Sequence, residues 1–215
     1  MTILVTAGPT REFLDPVRYI GNRSSGKMGC AVAESALRRG HAVILVVGPV
    51  AIALPAGAEV IRVVSAREML AAVEDNLGRC DALVAAAAVA DFRPAEYSAT
   101  KLKKRGGHRA MSIGLTPNPD ILETIAPRKG GRIFAGFAAE TDDLVENATG
   151  KLVRKNLDMI VANDVTKPGA GFDSDTNEVV LITASSTVHV SMRTKSEIAD
   201  LIIGKITELA AANGP

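Results

Sequence analysis

GKMGCAVAESALRRGHAVILVV, residues 26–47, joins a helical pattern directly to a short run of β-branched residues. Residues 26–39 repeat apolar side chains at intervals of three and four, and residues 42–47, AVILVV, are apolar without a break. A similar run, ILVT at residues 3–6, precedes the helical pattern. A strand, a helix and a second strand in this order predict a βαβ unit, in which the helix crosses one face of a parallel sheet.

The same alternation continues along the chain. Runs typical of strands occupy residues 3–6, 42–47, 60–64, 82–88, 132–137 and 159–162, and helical patterns occupy residues 26–39, 66–77, 120–125 and 142–156. Residues 178–183 and 188–192 then predict an antiparallel hairpin, followed by a helix over 196–211. We therefore expect an α/β fold: a Rossmann-like three-layer parallel sheet with a C-terminal antiparallel hairpin, in a single domain of residues 1–215.

The composition limits the class of protein. A chain of 215 residues with 47% hydrophobic content can bury one sizeable core. A formal net charge of +1 argues against a dedicated nucleic-acid-binding protein, which requires a basic face. No segment approaches the roughly 20 apolar residues of a membrane span, and the N-terminus lacks a signal-peptide pattern. We therefore expect a cytoplasmic protein with no nucleic-acid or membrane partner.

The residues that usually hold metals or form disulfides are sparse. Cys30 and Cys80 have no C-x-x-C spacing, and three histidines form no visible cluster. We expect both thiols to be small buried hydrophobic groups rather than reactive ones.

Ligands of open α/β sheets bind beyond the carboxyl ends of the strands. Four segments follow predicted strands here: residues 7–26, 89–109, 138–141 and 163–175. The first is far longer than a usual connection of about 2–6 residues between a strand and a helix. Long ordered loops at this edge are often functional, so it is the first place to search for a site.

The sequence GNRSSGKM, residues 21–28, nearly matches the phosphate-binding P-loop G-x-x-x-x-G-K-[ST]. Met28 stands where that motif needs a hydroxyl to hold Mg²⁺, so the match fails at the metal ligand. Phosphate can also bind another way, because Ser24 or Ser25 can cap a helix that begins at Gly26, and the exposed amides of its first turn attract anions. An ordinary capped helix is the alternative interpretation.

The segment after the fourth predicted strand combines a carboxylate with a cationic cluster. Asp91 either binds a ribose, a base or Mg²⁺, or only caps a turn before Pro94. The sequence KLKKRGGHR, residues 101–109, places four cations within five residues. This cluster is either a solvated surface or part of a mobile flap near residues 97–113, which closes over an anionic substrate and supplies positive charge.

An alternative function comes from Tyr97 and Lys101, which form the Y-x-x-x-K pair of short-chain dehydrogenases. That pair needs a helix to place both side chains on one face. Pro94 and two downstream glycines disfavour a helix here. The first strand is also followed by TAGPT rather than by the dinucleotide fingerprint G-x-G-x-x-G. An NAD(P)-dependent oxidoreductase is therefore only the alternative hypothesis.

Three further features lie at strand ends or on a helix. The sequence TPNPDI, residues 116–121, predicts a rigid turn that opens a helix. Phe137 either lines a base pocket or packs in the core. Lys151 and Lys155 lie four residues apart on one helical face, which suits either a triphosphate or ordinary surface charge.

Eight segments taken together carry a resemblance that none of them carries alone. They are TAGPTRE, LDPVRYIGNRSSGKMG, AAVADFRP, KLKK, NPDI, GFAAET, RKNLD and ANDV. In this order they closely resemble bacterial phosphopantothenoylcysteine synthetase, over essentially the whole chain. Phe13 departs from the proline expected in many relatives, which affects the stiffness of the loop but removes no reactive group.

The resemblance implies a two-step ligation in coenzyme A biosynthesis. The carboxylate of 4′-phosphopantothenate attacks the α-phosphorus of CTP and releases pyrophosphate, which leaves an acyl-cytidylate. The amino group of L-cysteine then displaces CMP to form the amide. The resemblance also implies Mg²⁺, a homodimer whose partner helps to complete the active site, and frequent fusion behind a flavin-dependent phosphopantothenoylcysteine decarboxylase domain.

The family's functional residues map onto this sequence. Asn22 would hold the acyl-cytidylate, and Lys101 would serve the first half-reaction. The CTP site would contain Asp91, Lys101, Thr116, Pro117, Asn118, Pro119, Phe137, Lys151 and Lys155. The substrate-binding set is Gly8, Arg18, Asn22, Ser24, Ser25, Gly26 and Ala88, of which Gly8, Ser24, Ser25 and Gly26 are phosphate contacts inferred from the first loop and helix start. Neither the metal ligands nor the choice of CTP over ATP can be assigned from the residues.

Overall fold

The computed structural model describes residues 1–103, 111–140, 143–164, 171 and 174–213. The strands are β1 (Thr2–Ala7), β2 (Arg11–Phe13), β3 (Tyr19–Gly21), β4 (Ala42–Val47), β5 (Glu59–Arg62), β6 (Ala82–Ala85), β7 (Phe92–Pro94), β8 (Leu115–Pro117), β9 (Ile133–Glu140), β10 (Met159–Asp164), β11 (Thr176–Thr183) and β12 (Thr187–Thr194). The helices are α1 (Lys27–Arg38), α2 (Ala66–Asn76), α3 (Ile121–Ile125), α4 (Leu144–Arg154) and α5 (Lys195–Ala212).

Eight strands form the central sheet in the order β12-β11-β10-β9-β6-β1-β4-β5. Six neighbouring strands are parallel: β10, β9, β6, β1, β4 and β5. Strands β11 and β12 are added antiparallel beside β10. Counted along the chain, the six parallel strands have the spatial order 3-2-1-4-5-6, which is that of doubly wound nucleotide-binding sheets. The predicted parallel sheet and C-terminal hairpin are confirmed.

Helices cover both faces of this sheet. On one face, Val32 of α1 and Ile202 of α5 pack with the strand residues Val5 and Val84 in one hydrophobic cluster. The other face carries a second cluster, which contains Met69 of α2, Ile125 of α3, Leu152 of α4 and the fully buried Phe134 of β9. The three-layer arrangement follows from this double coverage, because each helix buries its apolar stripe against one side of the sheet.

The residues that cap the helix N-termini follow the local sequence pattern in α2 and α5 but not in α1. Ser65 and Thr194 cap α2 and α5 with complete capping boxes, in which Glu68 and Glu197 return the bond. The predicted serine cap of α1 is wrong, because Gly26 occupies that position with φ of 79° and no side-chain cap. Glycine adopts this left-handed conformation without steric cost, and Ser24 only accepts a 3.4 Å hydrogen bond from the Gly26 N–H.

Several predicted boundaries differ from the observed ones. The predicted strand over residues 82–88 ends at Ala85, because the alanines that follow turn to hydrogen-bond with the loop after β1; there the Ala88 N–H donates to the Gly8 carbonyl at 2.9 Å. The two long loops contain short antiparallel ribbons, β2–β3 and β7–β8. Residues 104–110, within the predicted flap, lie outside the described residues.

Two expectations from composition can be compared with the structure. Cys30 and Cys80 are buried free thiols, and burial raises the pKa of each to about 11, so neither is poised as a nucleophile. Within the described ranges, no helix is both long and apolar enough to cross a membrane.

Candidate functional site

A cavity of about 540 Å³ opens at the carboxyl ends of β1 and β6. These are the neighbouring strands at which the chain order of the parallel sheet reverses, the usual binding position in such sheets. The lining residues are Thr6, Asn22, Ser24–Gly29, Ala85–Asp91, Asn118–Leu122, Phe137–Ala139, Lys151, Lys155, Asn163, Gly171, Asn177 and Lys195. Most of the predicted site residues therefore meet in one place.

Asn22 is held at the cavity by the loop that follows β6. Its amide nitrogen donates to the backbone carbonyls of Ala88 at 3.3 Å and Val89 at 3.0 Å. These two contacts orient the amide, and the oxygen of Asn22 is the atom that can accept a hydrogen bond from a ligand.

One wall of the cavity is formed by the residues that lead into α1, Ser24, Ser25 and Gly26, together with Lys27 in the first turn. A side chain at Gly26 would not fit, since a Cβ there would lie 2.7 Å from Cγ1 of Val50. The start of α1 has no side-chain cap, and the amides at a helix N-terminus attract anions, so this wall suits an anionic ligand.

The nucleotide residues predicted after β6 and β9 also line the cavity. Asp91 is exposed at its edge, and the Asp91 carbonyl accepts a 2.8 Å hydrogen bond from the Asn118 N–H. The Asn118 side chain donates to the Ala90 carbonyl at 2.8 Å, so the turn containing Pro119 is fixed against the Asp91 loop. Phe137 is partly buried and packs against the core while it lines the cavity.

Lys151 and Lys155 contribute positive charge from the α4 side of the sheet, and both line the cavity. Lys155 pairs with Asp120, with Nζ 2.5 Å from Oδ2, and its side chain is 18% exposed. Both lysines therefore reach the same cavity, as predicted, but only Lys151 lies within α4, because Lys155 is the C-cap residue that follows Arg154.

A second group of cations was missed by the sequence reasoning. Lys27 and the buried Lys195 line the cavity from the side of the sheet covered by α1 and α5. Lys27 Nζ lies 2.6 Å from Asp175 Oδ1, and Lys195 donates to the Gly171 carbonyl at 3.0 Å. The hydrogen bond and charge of Lys27, with a smaller contribution from Lys195, lower the pKa of Asp175. The Gly-Lys pair in GNRSSGKM was the available signal for Lys27, whereas nothing in the sequence marked Lys195.

Other predicted residues are not among those lining the cavity. Gly8 packs behind Gly26, and Thr116 and Pro117 pair with β7 in the β7–β8 ribbon. Arg18 directs its guanidinium to Asp15 and to the carbonyl of Leu102. Ala88 does line the cavity and accepts from Asn22. The ligand contacts assigned to Gly8, Arg18, Thr116 and Pro117 stay predictions.

Lys101 is exposed and also lies outside the cavity lining. Tyr97 is 60% exposed, and residues 97–101 form no helix. The Y-x-x-x-K hypothesis is therefore wrong in its structural premise, because the two side chains do not share a helical face. The assignment of Lys101 to the first half-reaction stays a prediction.

Comparisons with known proteins add to this geometry. The family model described as the DNA/pantothenate metabolism flavoprotein C-terminal domain matches residues 1–209. The chain is 46% identical over 209 residues to the coenzyme A biosynthesis bifunctional protein CoaBC of Vibrio parahaemolyticus, covering 97% of this chain and 52% of that protein. It is 43% identical over 208 residues to CoaBC of Escherichia coli K12, covering 96% and 51%. The chain thus spans about half the length of these curated relatives.

A solved structure is similar along its full length. The crystal structure of the C-terminal domain of coenzyme A biosynthesis bifunctional protein CoaBC superposes with a TM-score of 0.83 at 40% identity, covering 98% of each chain. The two chains therefore share one fold.

Proposed function

Because the chain belongs to the DNA/pantothenate metabolism flavoprotein C-terminal domain family, we propose that it is a phosphopantothenate–cysteine ligase of coenzyme A biosynthesis. The observation that carries this proposal is the meeting of Asn22, the first turn of α1 and the Lys151–Lys155 pair in one cavity. All of these groups except Lys151 come from the segments on which the resemblance rests. The identity of 46% with a coenzyme A biosynthesis protein supports the same reaction.

The proposed ligation has two steps. A carboxylate oxygen of 4′-phosphopantothenate attacks the α-phosphorus of CTP, the bond to the β-phosphate oxygen breaks, and pyrophosphate leaves. The nitrogen of L-cysteine then attacks the acyl carbon and loses a proton, and the carbon–oxygen bond to CMP breaks. The cavity favours the first step by bringing a carboxylate and a polyanion together among cations.

The lining of the cavity suggests where CTP and 4′-phosphopantothenate bind. CTP lies with its triphosphate toward Lys151 and Lys155 and its nucleoside beside Phe137, Asp91 and the Asn118 turn. The acyl end of phosphopantothenate lies at Asn22 and the first turn of α1. Lys101 neutralises charge that develops at the α-phosphoryl group when the substrates are bound.

Mg²⁺ is part of this proposal. Among the residues that the structure describes, no group of three or more His, Cys, Asp and Glu side chains is placed to hold a metal ion. Mg²⁺ usually binds through one or two carboxylates together with substrate phosphates. The cavity offers Asp91 and Asp120, and Asp120 already pairs with Lys155. Asp91 is therefore the carboxylate that fits Mg²⁺ beside the triphosphate, where the ion would neutralise phosphate charge.

A homodimer is also proposed, through the two short ribbons. Large apolar side chains are exposed on and around β2–β3 and β7–β8: Phe13, Val17, Tyr19, Phe92, Tyr97, Met111, Ile113 and Leu115. We call this set the ribbon patch. Such a concentration of exposed apolar groups is typical of a protein interface. The patch adjoins Asp91 and Asn118, so a second copy seated on it would border the cavity.

The relatives named CoaBC are bifunctional and about twice as long as this chain. We therefore propose that this ligase works fused to, or together with, a flavin-dependent phosphopantothenoylcysteine decarboxylase domain.

Pyrophosphate release tests the proposed function. Purified protein is incubated with Mg²⁺ and 4′-phosphopantothenate, with CTP or ATP, before and after L-cysteine is added. We expect release that favours CTP before cysteine is present, and amide product only afterwards. A folded sample that binds CTP and releases no pyrophosphate with either nucleotide would instead indicate a binding module.

A further inference from the structure

A buried carboxylate joins the two segments that carry Asn22 and Lys101. Asp15 lies between β2 and β3, and its side chain is 0% exposed. Its Oδ1 accepts hydrogen bonds from the backbone N–H groups of Val17 and Arg18, both at 2.8 Å. Its Oδ2 accepts from the Leu102 N–H at 3.0 Å and from Arg18 Nη1 at 3.2 Å.

Arg18 makes a second contact with the backbone of Leu102. Its Nη1 also donates to the Leu102 carbonyl at 2.9 Å. The N–H and the carbonyl of Leu102 are thus both held by the Asp15–Arg18 pair. A further bond, from the Ser98 N–H to the Leu14 carbonyl at 2.9 Å, ties the same two segments together. These contacts hold Leu102 through its backbone.

The surroundings of Asp15 favour its charged form, which accepts the hydrogen bonds described above. Burial alone would raise the pKa of Asp15, but the N–H groups of Leu102, Val17 and Arg18, with the Arg18 charge, outweigh it and lower the pKa. Asp15 therefore stays ionised and acts as a fixed acceptor for four donor contacts at neutral pH. A fully satisfied polar network of this kind holds its members in one geometry.

Leu102, where the two segments are joined, is next to Lys101, the residue proposed for the first half-reaction. Leu102 is flanked by Lys101 and Lys103, which are both exposed. From Asp15 the chain runs through Arg18 and β3 to Asn22, whose amide is held at the cavity. The chain segments that carry Asn22 and Lys101 are thus joined by the contacts among Asp15, Arg18 and Leu102.

We infer that Asp15 is a positioning residue for the ligation, which sets Lys101 relative to Asn22 by clasping the backbone of Leu102. This inference rests on the proposed function. Asp15 touches no substrate and acts through Lys101. Misplacement of a reacting group by about 1 Å can reduce a rate about 10²-fold, so a loosened junction should slow the formation of the acyl-cytidylate.

The substitution Asp15→Asn tests the inference with almost no change in size. An amide nitrogen would replace one carboxylate oxygen and would oppose the donors on that side, so residue 15 could no longer hold both its own turn and the Leu102 N–H. We expect the rate of pyrophosphate release without cysteine to fall about 10- to 100-fold, with little change in the KM for CTP. Asp75→Asn is the matched control, since Asp75 is an exposed aspartate on α2 and this variant should retain the wild-type rate.

A double-mutant cycle separates positioning from general destabilisation. If Asp15 acts through Lys101, Asp15→Asn should have almost no additional effect in a Lys101→Gln background. Independent, multiplicative losses in rate would overturn the inference, as would a wild-type rate in folded Asp15→Asn protein. Leu102→Pro removes the same N–H from the other partner and replaces Asp15→Asn in the cycle if that variant does not fold. An inactive wild-type protein would contradict the proposed function itself, not the positioning role.

Discussion

Asn22 is the residue whose orientation the structure defines most usefully. Its amide nitrogen donates to the Ala88 and Val89 carbonyls. Sequence alone predicted that an asparagine would hold the intermediate, but it could not show which half of the amide is already engaged. That depends on a loop 66 residues further along the chain.

We predict that Asn22→Asp lowers the rate of acyl-cytidylate formation by about 10²-fold, while CTP still binds. The carboxylate would face the Ala88 and Val89 carbonyls and repel them, and it would add negative charge beside the acyl phosphate. Single-turnover pyrophosphate release measures the effect. Asn213→Asp at the end of α5 is the control. A wild-type rate for Asn22→Asp would exclude Asn22 from the reaction.

Lys151 and Lys155 are the subject of a second prediction at the residue scale. Replacing Lys151 and Lys155 together by glutamine should raise the KM for CTP about tenfold, which corresponds to about 1.4 kcal/mol of lost binding. The effect on cysteine should be small, because both lysines face the proposed triphosphate position. Lys205→Gln is the matched control, since Lys205 pairs with Glu208 on α5. An unchanged KM would mean that the pair is ordinary surface charge.

Among the elements, α1 lies in close contact with β1 at the wall of the cavity, which Thr6 and Gly29 both line. A Cβ at Gly29 would lie 2.5 Å from the Cβ of Ala7 and 3.0 Å from the Thr6 carbonyl oxygen. The helix can therefore approach the strand only because residue 29 has no side chain. This is the close packing of helix on strand that glycine permits in nucleotide-binding βαβ units.

We predict that Gly29→Ala destabilises the protein by about 1–2 kcal/mol, because the overpacking of α1 against β1 outweighs the better helix propensity of alanine. For a chain of this size, the melting temperature should fall by about 2–8 °C. Thermal unfolding of Gly204→Ala, a helical glycine on α5 whose new Cβ would lie 3.6 Å from the Arg39 side chain, provides the comparison. Equal melting temperatures for the two variants would contradict this packing account.

The elements also show why part of the fold could be predicted and part could not. Long apolar runs such as β4 and the amphipathic pattern of α1 carry enough periodicity to be recognised. The ribbons β2–β3 and β7–β8 have three residues per strand, too few for any period. The start of α1 was predicted wrongly because its cap depends on a left-handed backbone at Gly26, not on a hydroxyl.

At the scale of the whole molecule, strand order determines where the site lies. The alternation of strands and helices predicted a parallel sheet, and a parallel sheet predicted a site at its carboxyl edge. Together with the resemblance to phosphopantothenoylcysteine synthetase, this edge predicted the convergence of Asn22, Asp91, Phe137, Lys151 and Lys155. The participation of Lys195 could not be predicted, since it depends on how α5 packs back against α1 after the antiparallel hairpin.

Dimerisation is the prediction that belongs to this scale. Introducing Met111→Glu and Leu115→Glu together into the ribbon patch should convert a dimer to a monomer, because two charges would have to be buried against apolar groups. Sedimentation velocity measures the mass. Val188→Glu on β12 alters an equally exposed apolar residue outside the patch and should leave the dimer intact. Dimers of the double variant at wild-type strength would place the interface elsewhere.

Transfer of oxygen from the acid to the nucleotide tests the central claim most directly. 4′-Phosphopantothenate with an ¹⁸O-labelled carboxylate is incubated with CTP, L-cysteine, Mg²⁺ and the purified protein, and the CMP is analysed by mass spectrometry. Ligation through an acyl-cytidylate predicts one ¹⁸O in the phosphate of CMP, because the attacking carboxylate oxygen remains on phosphorus when cysteine displaces the nucleotide. Amide product accompanied by unlabelled CMP would contradict the proposed mechanism.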